Sequence, residues 1–128
     1  MINQKFPKKY KMTLKADIDA IMSASDRVFG KNLVFRFRFT ERQDTALKVL
    51  FVVPKRRFKK AVIRNRIKRQ LREMTRLEKQ KIIDVLPADK TLHIAIIYTG
   101  PVEMQYHLQK KRFMKTLGKI PALNLNNN

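Results

Sequence analysis

Cysteine is absent from this 128-residue chain. Disulfides and thiolate metal sites are excluded, and the composition fits a reducing compartment. Glycine is scarce, with three residues in all, and no glycine-rich phosphate loop can be built from them. Long apolar runs are missing as well. None approaches the roughly 20 residues of a spanning helix. The basic opening from Met1 to Lys15 has no apolar stretch of signal-peptide length. The expectation is a cytoplasmic protein without a membrane partner. Acids are few, ten against thirty Lys and Arg. Asp17 and Asp19 face apart on a helix, Asp84 and Asp89 flank a turn, and Glu41 and Asp44 share a loop. The dense carboxylate cluster of a two-metal nuclease is not visible. His93 and His107 have no partner at the spacing of a metal site or an acid–base pair. No catalytic residue and no metal ligand is assigned to the polypeptide.

What remains is charge of one sign. The net charge is +20 and the sequence pI about 10.8. Such an excess opposes compaction by self-repulsion, so it points to a polyanionic partner. Nucleic acid ranks first, an anionic membrane surface second, an acidic protein third. The charge is densest from Lys55 to Glu73, KRRFKKAVIRNRIKRQLRE, where ten of nineteen residues are basic. The rest of the chain still carries +11, so the partner should meet several faces.

This segment is not a shapeless basic run. Ile63, Ile67, Leu71 and Met74 recur at helical steps. On a helical wheel Leu77 joins them, within about 80° of Ile63. Arg64, Asn65, Lys68, Arg69, Arg72, Arg76 and Lys79 fall in the opposite arc. A helix over Ala61 to Lys81 would bury one side and present the other to phosphates. Only Arg69 and Glu73 are spaced for an i,i+4 ion pair. Guanidinium forks match phosphate oxygens, and the Asn65 amide can bridge a phosphate, a 2′-hydroxyl or a base edge. Arg66 lies nearer the apolar border than Arg64, which suits bracing of the loop Lys55 to Lys60.

Around this helix the chain reads as one domain. Residues 1–12 form a basic, extended N-terminal arm, 13–118 the folded domain and 119–128 a flexible tail. Leu14 to Ser23 is a short helix with Thr13 as its N-cap. Asn32 to Thr40 alternates Phe35, Phe37 and Phe39 with Arg36 and Arg38, the period of a strand. Glu41 to Thr45 reads as a hairpin loop. Leu47 to Val53 is a strand buried on both faces, ended by Pro54. Thr91 to Tyr98 is another central strand. Val102 to Leu117 is a last helix with Val102, Tyr106, Phe113 and Leu117 on its apolar face, and Gly118 follows as a C-cap residue. The fold class is α+β, a small two-layer sandwich in the order αββαβα.

The residues Lys55 and Arg56, Ala61, Arg64-Asn65-Arg66-Ile67-Lys68-Arg69 and Arg72-Glu73 resemble the RNR signature of the protein component of bacterial ribonuclease P. The resemblance covers about Thr13 to Leu117. It implies a left-handed crossover from the second strand through the long helix to the third, although topology rules favour the right-handed form. It implies a subunit that binds a catalytic RNA and assists removal of the 5′ leader from precursor tRNA. The RNA and substrate would hold the Mg²⁺ ions. RNA contacts would come from Lys55, Arg56, Lys59, Lys60, Arg64, Asn65, Arg66, Lys68, Arg69, Arg72 and Arg76. A leader cleft between the first helix and one sheet face would use Ile18, Met22, Val34, Arg36 and Arg38. Arg36 stands where the family often has an aromatic, so the grip would rely more on phosphate contact than on stacking. Phe35, Phe37 and Phe39 would turn the other way, toward the long helix. The partners expected are ribonuclease P RNA and precursor tRNA, the protein being monomeric outside the holoenzyme. The alternative class is a structural ribosomal RNA-binding protein, which composition and charge alone do not separate. An autonomous metal-dependent nuclease is disfavoured by the scattered carboxylates.

Overall fold

A computed structural model describes residues 6–121 and Leu123. Helix α1 spans Lys15–Ser23, followed by strands β1 (Asp26–Gly30), β2 (Leu33–Glu41) and β3 (Leu47–Val52). Helix α2 (Ala61–Val85), strand β4 (Lys90–Tyr98) and helix α3 (Tyr106–Leu117) complete the domain. The sheet order is β1-β2-β4-β3, with β3 parallel to β4 and the other pairs antiparallel. The parallel pair requires a crossover, and α2 supplies it.

Two features of the sheet's connectivity differ from the sequence reading. Strand β1 is additional: five residues, with only Val28 and Phe29 to signal it. It joins β2 through Lys31 and Asn32, and Asn32 takes a φ of 65°, a conformation that Asn tolerates better than most residues. The loop Glu41 to Thr45 does not close a hairpin, because β4 lies between β2 and β3. Hydrophobicity accounts for this: Thr91 through Ile96 are buried without interruption, so β4 takes the centre of the sheet.

The alternation of β2 separates two faces. Leu33, Phe35 and Phe37 turn to the main core with Leu47 and Val49 of β3, Leu92, Ile94, Ile96 and Tyr98 of β4, and the stripe Ile67, Leu71, Met74 and Ile82 of α2. Phe113 and Leu117 of α3 close this layer, the Phe113 ring meeting Phe35 edge-on with centroids 5.3 Å apart. The reverse face is covered only in part. There Met12, Ile21 and Ala95 form a small second cluster with Ile18 and Leu50, which seats α1 on the sheet.

The elements also begin and end in places the pattern did not give. Leu14, not Thr13, occupies the N-cap of α1, without a side-chain cap. Helix α2 continues past Lys81 to Val85, stopping just before Leu86-Pro87. Helix α3 starts at Tyr106, which leaves Val102 exposed in the preceding loop. Leu77 is 45% exposed and lies off the buried stripe. Gly118 caps α3 with an ordinary right-handed φ of −64°, so its conformational freedom is not used.

The arm is not free where it is described. Phe6 is buried, Lys8–Tyr10 forms a 3₁₀ turn, and Met12 N–H donates to Val49 O at 2.8 Å. Lys11 bridges Val49, so the arm covers the open edge of β3. The expected flexible tail likewise sends Ile120 and Leu123 into the main core. Residues 1–5, Ala122 and 124–128, part of the expected arm and tail, lie outside the described residues.

Leu71 has no exposed surface and sits at the centre of the α2 stripe. Leu71→Ala should lower unfolding stability by about 2–5 kcal/mol, read as a lower urea midpoint at unchanged slope.

Candidate nucleic-acid interface

The basic loop is held before α2 begins. Pro54 ends β3, and Phe58 N–H donates to Pro54 O at 3.0 Å, forming a turn. The Phe58 ring is buried beside Tyr98, centroids 5.8 Å apart. Arg57 Nε donates to Gly100 O at 3.1 Å. Glycine is required at that position: a Cβ on Gly100 would lie 2.6 Å from the Tyr98 hydroxyl oxygen.

Two arginines of the Arg64-Asn65-Arg66 triplet complete the brace, with roles exchanged relative to the sequence expectation. Arg64 Nη1 donates to Phe58 O at 2.7 Å and to Lys59 O at 2.8 Å, so Arg64 holds the loop. Arg66 reaches away from it. Its Nη2 donates to Val102 O at 3.0 Å and pairs with Glu103 at 3.5 Å, tying α2 to the segment before α3. The wheel gives an angle around the helix axis. It does not say that the loop folds back over the side where Arg64 stands.

The other expected contact residues separate into two groups. Lys55, Arg56, Lys59, Lys60, Asn65 and Arg69 are exposed and Lys68 is half-buried. Among the described residues none of their side chains has a hydrogen-bond or ion-pair partner. Arg72 and Arg76 are partly occupied. The Arg72 guanidinium lies 5.9 Å from the Phe51 ring centroid, and its Nε is buried without a hydrogen-bond partner. Arg76 Nε donates to Glu73 at 3.1 Å, so Glu73 pairs at i,i+3 rather than with Arg69. The hydrogen bond from Arg76 holds the Glu73 carboxyl below its usual range.

The arm enlarges this basic surface in a way the wheel did not indicate. Lys9 and Lys79 each place an ammonium 5.1 Å from the Tyr10 ring centroid, and Tyr10 also meets Phe6. Lys79 of α2 and Lys9 of the arm thus belong to one patch. A further basic surface runs along α3 past His107, Lys110, Lys111 and Lys115. Positive charge accordingly appears on more than one face.

The expected cleft lies on the reverse face of the sheet, which the strand register divides into rows. Phe29, Val34, Ile97 and Val52 form one row, and Arg27, Arg36, Ala95 and Leu50 the next. Arg38, His93 and Lys48 form the third. Helix α1 sits over the middle row. Ile18 is therefore committed to packing, whereas Met22 is exposed at its rim. Val34 is half-buried in the first row. Arg36 Nε donates to Ile21 O at 3.1 Å and contacts Ser25 Oγ at 3.2 Å. A cation at the last turn of α1 complements the helix dipole and fixes the angle of the cleft wall. Arg38 has no partner among the described residues.

His93 lies at the base of the third row with no exposed surface. One ring nitrogen, Nε2, is 2.9 Å from Gln43 Oε1, and Nδ1 has no partner. Burial, reinforced by Arg38 and Lys48 and opposed by Asp17, pushes its pKa below 6.5. Among the described residues no three His, Asp or Glu side chains converge on a common point. No helix among them is long and apolar enough to cross a membrane.

A family model described as Ribonuclease P matches residues 6–120. Among solved structures, a Staphylococcus aureus RNase P protein is similar at 22% identity, over 90% of this chain and 98% of that one, with a TM-score of 0.72. An RNase P protein from Thermotoga maritima is similar at 23% identity, over 86% of this chain and 96% of that one, with a TM-score of 0.68. No curated protein sequence matches.

The brace and the buried histidine each have a measurable consequence. Arg64→Ala removes a charged donor from two carbonyls and should cost about 1–2 kcal/mol of unfolding stability. Lys68→Ala should stay within about 0.5 kcal/mol, since it breaks no described contact. For His93 the unfolded state binds the proton more readily than the folded state. Its contribution is complete above pH 6.5 and is lost as pH falls toward the folded pKa. The urea midpoint should therefore drop as pH falls below about 6.5, and His93→Gln should flatten that part of the profile.

Proposed function

The chain belongs to the ribonuclease P protein family, and from that premise we propose that it binds the catalytic RNA through α2 and the loop before it, and steadies the 5′ leader of precursor tRNA. The observation that carries this reading is the division among the cations from Lys55 to Arg69. Arg57, Arg64 and Arg66 fix the loop and helix through backbone carbonyls. Lys55, Arg56, Lys59, Lys60, Lys68 and Arg69 are left for phosphates on a support that is already rigid. A braced backbone restricts the ordering cost of binding to these side chains.

In this reading the RNA holds the Mg²⁺ ions that serve hydrolysis of the phosphodiester bond. The chain's own residues supply no step at the reacting atoms. They neutralise phosphate charge, which strengthens leader binding and lowers the Mg²⁺ concentration the reaction needs. The leader would enter the reverse-face cleft, with α1 as one wall and Val34, Arg36 and Arg38 on its floor. Arg36 serves first as the brace of that wall. Arg38, without a partner among the described residues, is the better phosphate contact.

The test is precursor tRNA cleavage at low Mg²⁺ with a bacterial ribonuclease P RNA, with and without the protein, beside a protein-only control. Cleavage at the mature 5′ end only when both are present supports the reading. No stimulation, while a reference subunit works in parallel, sinks it. Replacing Lys59, Lys68 and Arg69 together by Ala should flatten the dependence of log affinity on log salt by about 0.7–0.9 for each phosphate no longer neutralised. An unchanged slope would move the RNA interface to another face.

A further inference from the structure

The reverse face carries one large aromatic in the open. Phe29 on β1 is 58% exposed, and the Arg27 guanidinium lies 5.9 Å from its ring centroid. A single exposed apolar side chain is ordinary by itself, so what matters for this ring is its surroundings. Here the edge is blunted: Lys119 Nζ donates to Phe29 O from the C-terminal side. The backbone is occupied while the ring stays available.

The register gives the ring a context. Phe29, Val34, Ile97 and Val52 run side by side across all four strands. Three strand spacings make this row about 14 Å long. The row begins at Val52, just before the loop of Lys55 to Lys60, and ends at Phe29 on the far edge. Cations line its flank: Arg27 and Arg36 stand opposite each other in the adjoining row. An apolar track with an aromatic end and arginines along one side suits a single strand of nucleic acid. The exposed Arg27 guanidinium can meet a phosphate, and a base can stack on the ring, while Arg36 is held by Ile21 O.

We propose that Phe29, supported by Arg27, is a base-stacking residue for the precursor leader and lies beyond the part of the cleft that α1 covers. The proposal rests on the leader-binding reading and gives it a specific outer contact. Arg36 fills the middle row, where its guanidinium braces α1 and gives a base no flat apolar surface. Stacking is therefore displaced one row along the strand and one strand outward, to β1. The contact should tolerate any base, with stronger stackers favoured.

The test uses the holoenzyme assembled with a bacterial ribonuclease P RNA, and precursor tRNAs carrying 2-aminopurine at successive leader positions. One leader position should show quenched fluorescence on binding. Phe29→Ala should abolish that quench and weaken precursor binding by about tenfold, with mature tRNA binding unchanged. Phe29→Tyr should restore both. The Phe29 ring is mostly exposed, so the thermal midpoint of the Ala variant should match wild type and exclude misfolding. If wild type distinguishes precursor from mature tRNA but Phe29→Ala leaves quench and affinity intact, the stacking assignment is overturned and the cleft reading survives. If wild type binds both tRNAs equally, the leader reading fails and this proposal falls with it.

Discussion

Burial of β4 on both faces is the constraint on which the rest of this structure depends. An uninterrupted buried run from Thr91 to Ile96 cannot lie at a sheet edge or against solvent. It takes the centre, separates β2 from β3, and pairs in parallel with β3. A parallel pair cannot be closed by a short turn, so the chain crosses over through α2. The most basic segment of the protein is that crossover. Its loop leaves β3 at Pro54, and its apolar stripe packs into the main core shared by β2, β3, β4 and α3.

The arginines divide their work along the same lines. A guanidinium can donate to carbonyls in fixed directions while its charge stays partly hydrated, which suits it to pinning exposed loops. Arg57, Arg64 and Arg66 do this at Gly100, Phe58 with Lys59, and Val102. Arg36 does the same on the reverse face, at the end of α1. The lysines of the same stretch are flexible point charges and stay open. Support from Arg57, Arg64 and Arg66 and open charge on Lys55, Arg56, Lys59, Lys60 and Arg69 thus lie side by side on one surface.

The reverse face follows a different logic. Helix α1 is short and covers only the middle row through Ile18 and Ile21. One neighbouring row is left apolar and the other cationic, with His93 buried beneath it. A sheet half-covered in this way leaves an apolar row and a charged row on either side of α1, about 13–14 Å apart along the strands. That combination distinguishes it from the outer face of α2, where charge dominates.

Period and composition determined much of this protein by themselves. The stripe Ile67, Leu71 and Met74 could bury only one side of a helix, and the Phe–Arg alternation of β2 assigned residues to faces before any contact was known. Both are local consequences of helical and strand geometry. The excess of thirty basic residues over ten acids pointed to a polyanion in the same way. Tertiary structure alone decided which strand separates β2 from β3, because that depends on competition for the sheet centre. It also decided that β1 exists. Five residues with Val28 and Phe29 as their apolar members carry too weak a pattern, and the strand persists because β2 offers it a partner. The exchange of roles between Arg64 and Arg66 belongs here too. A wheel fixes angles about one axis, whereas the carbonyls that capture those side chains come from Phe58, Lys59 and Val102, in segments outside the helix whose positions are set by packing.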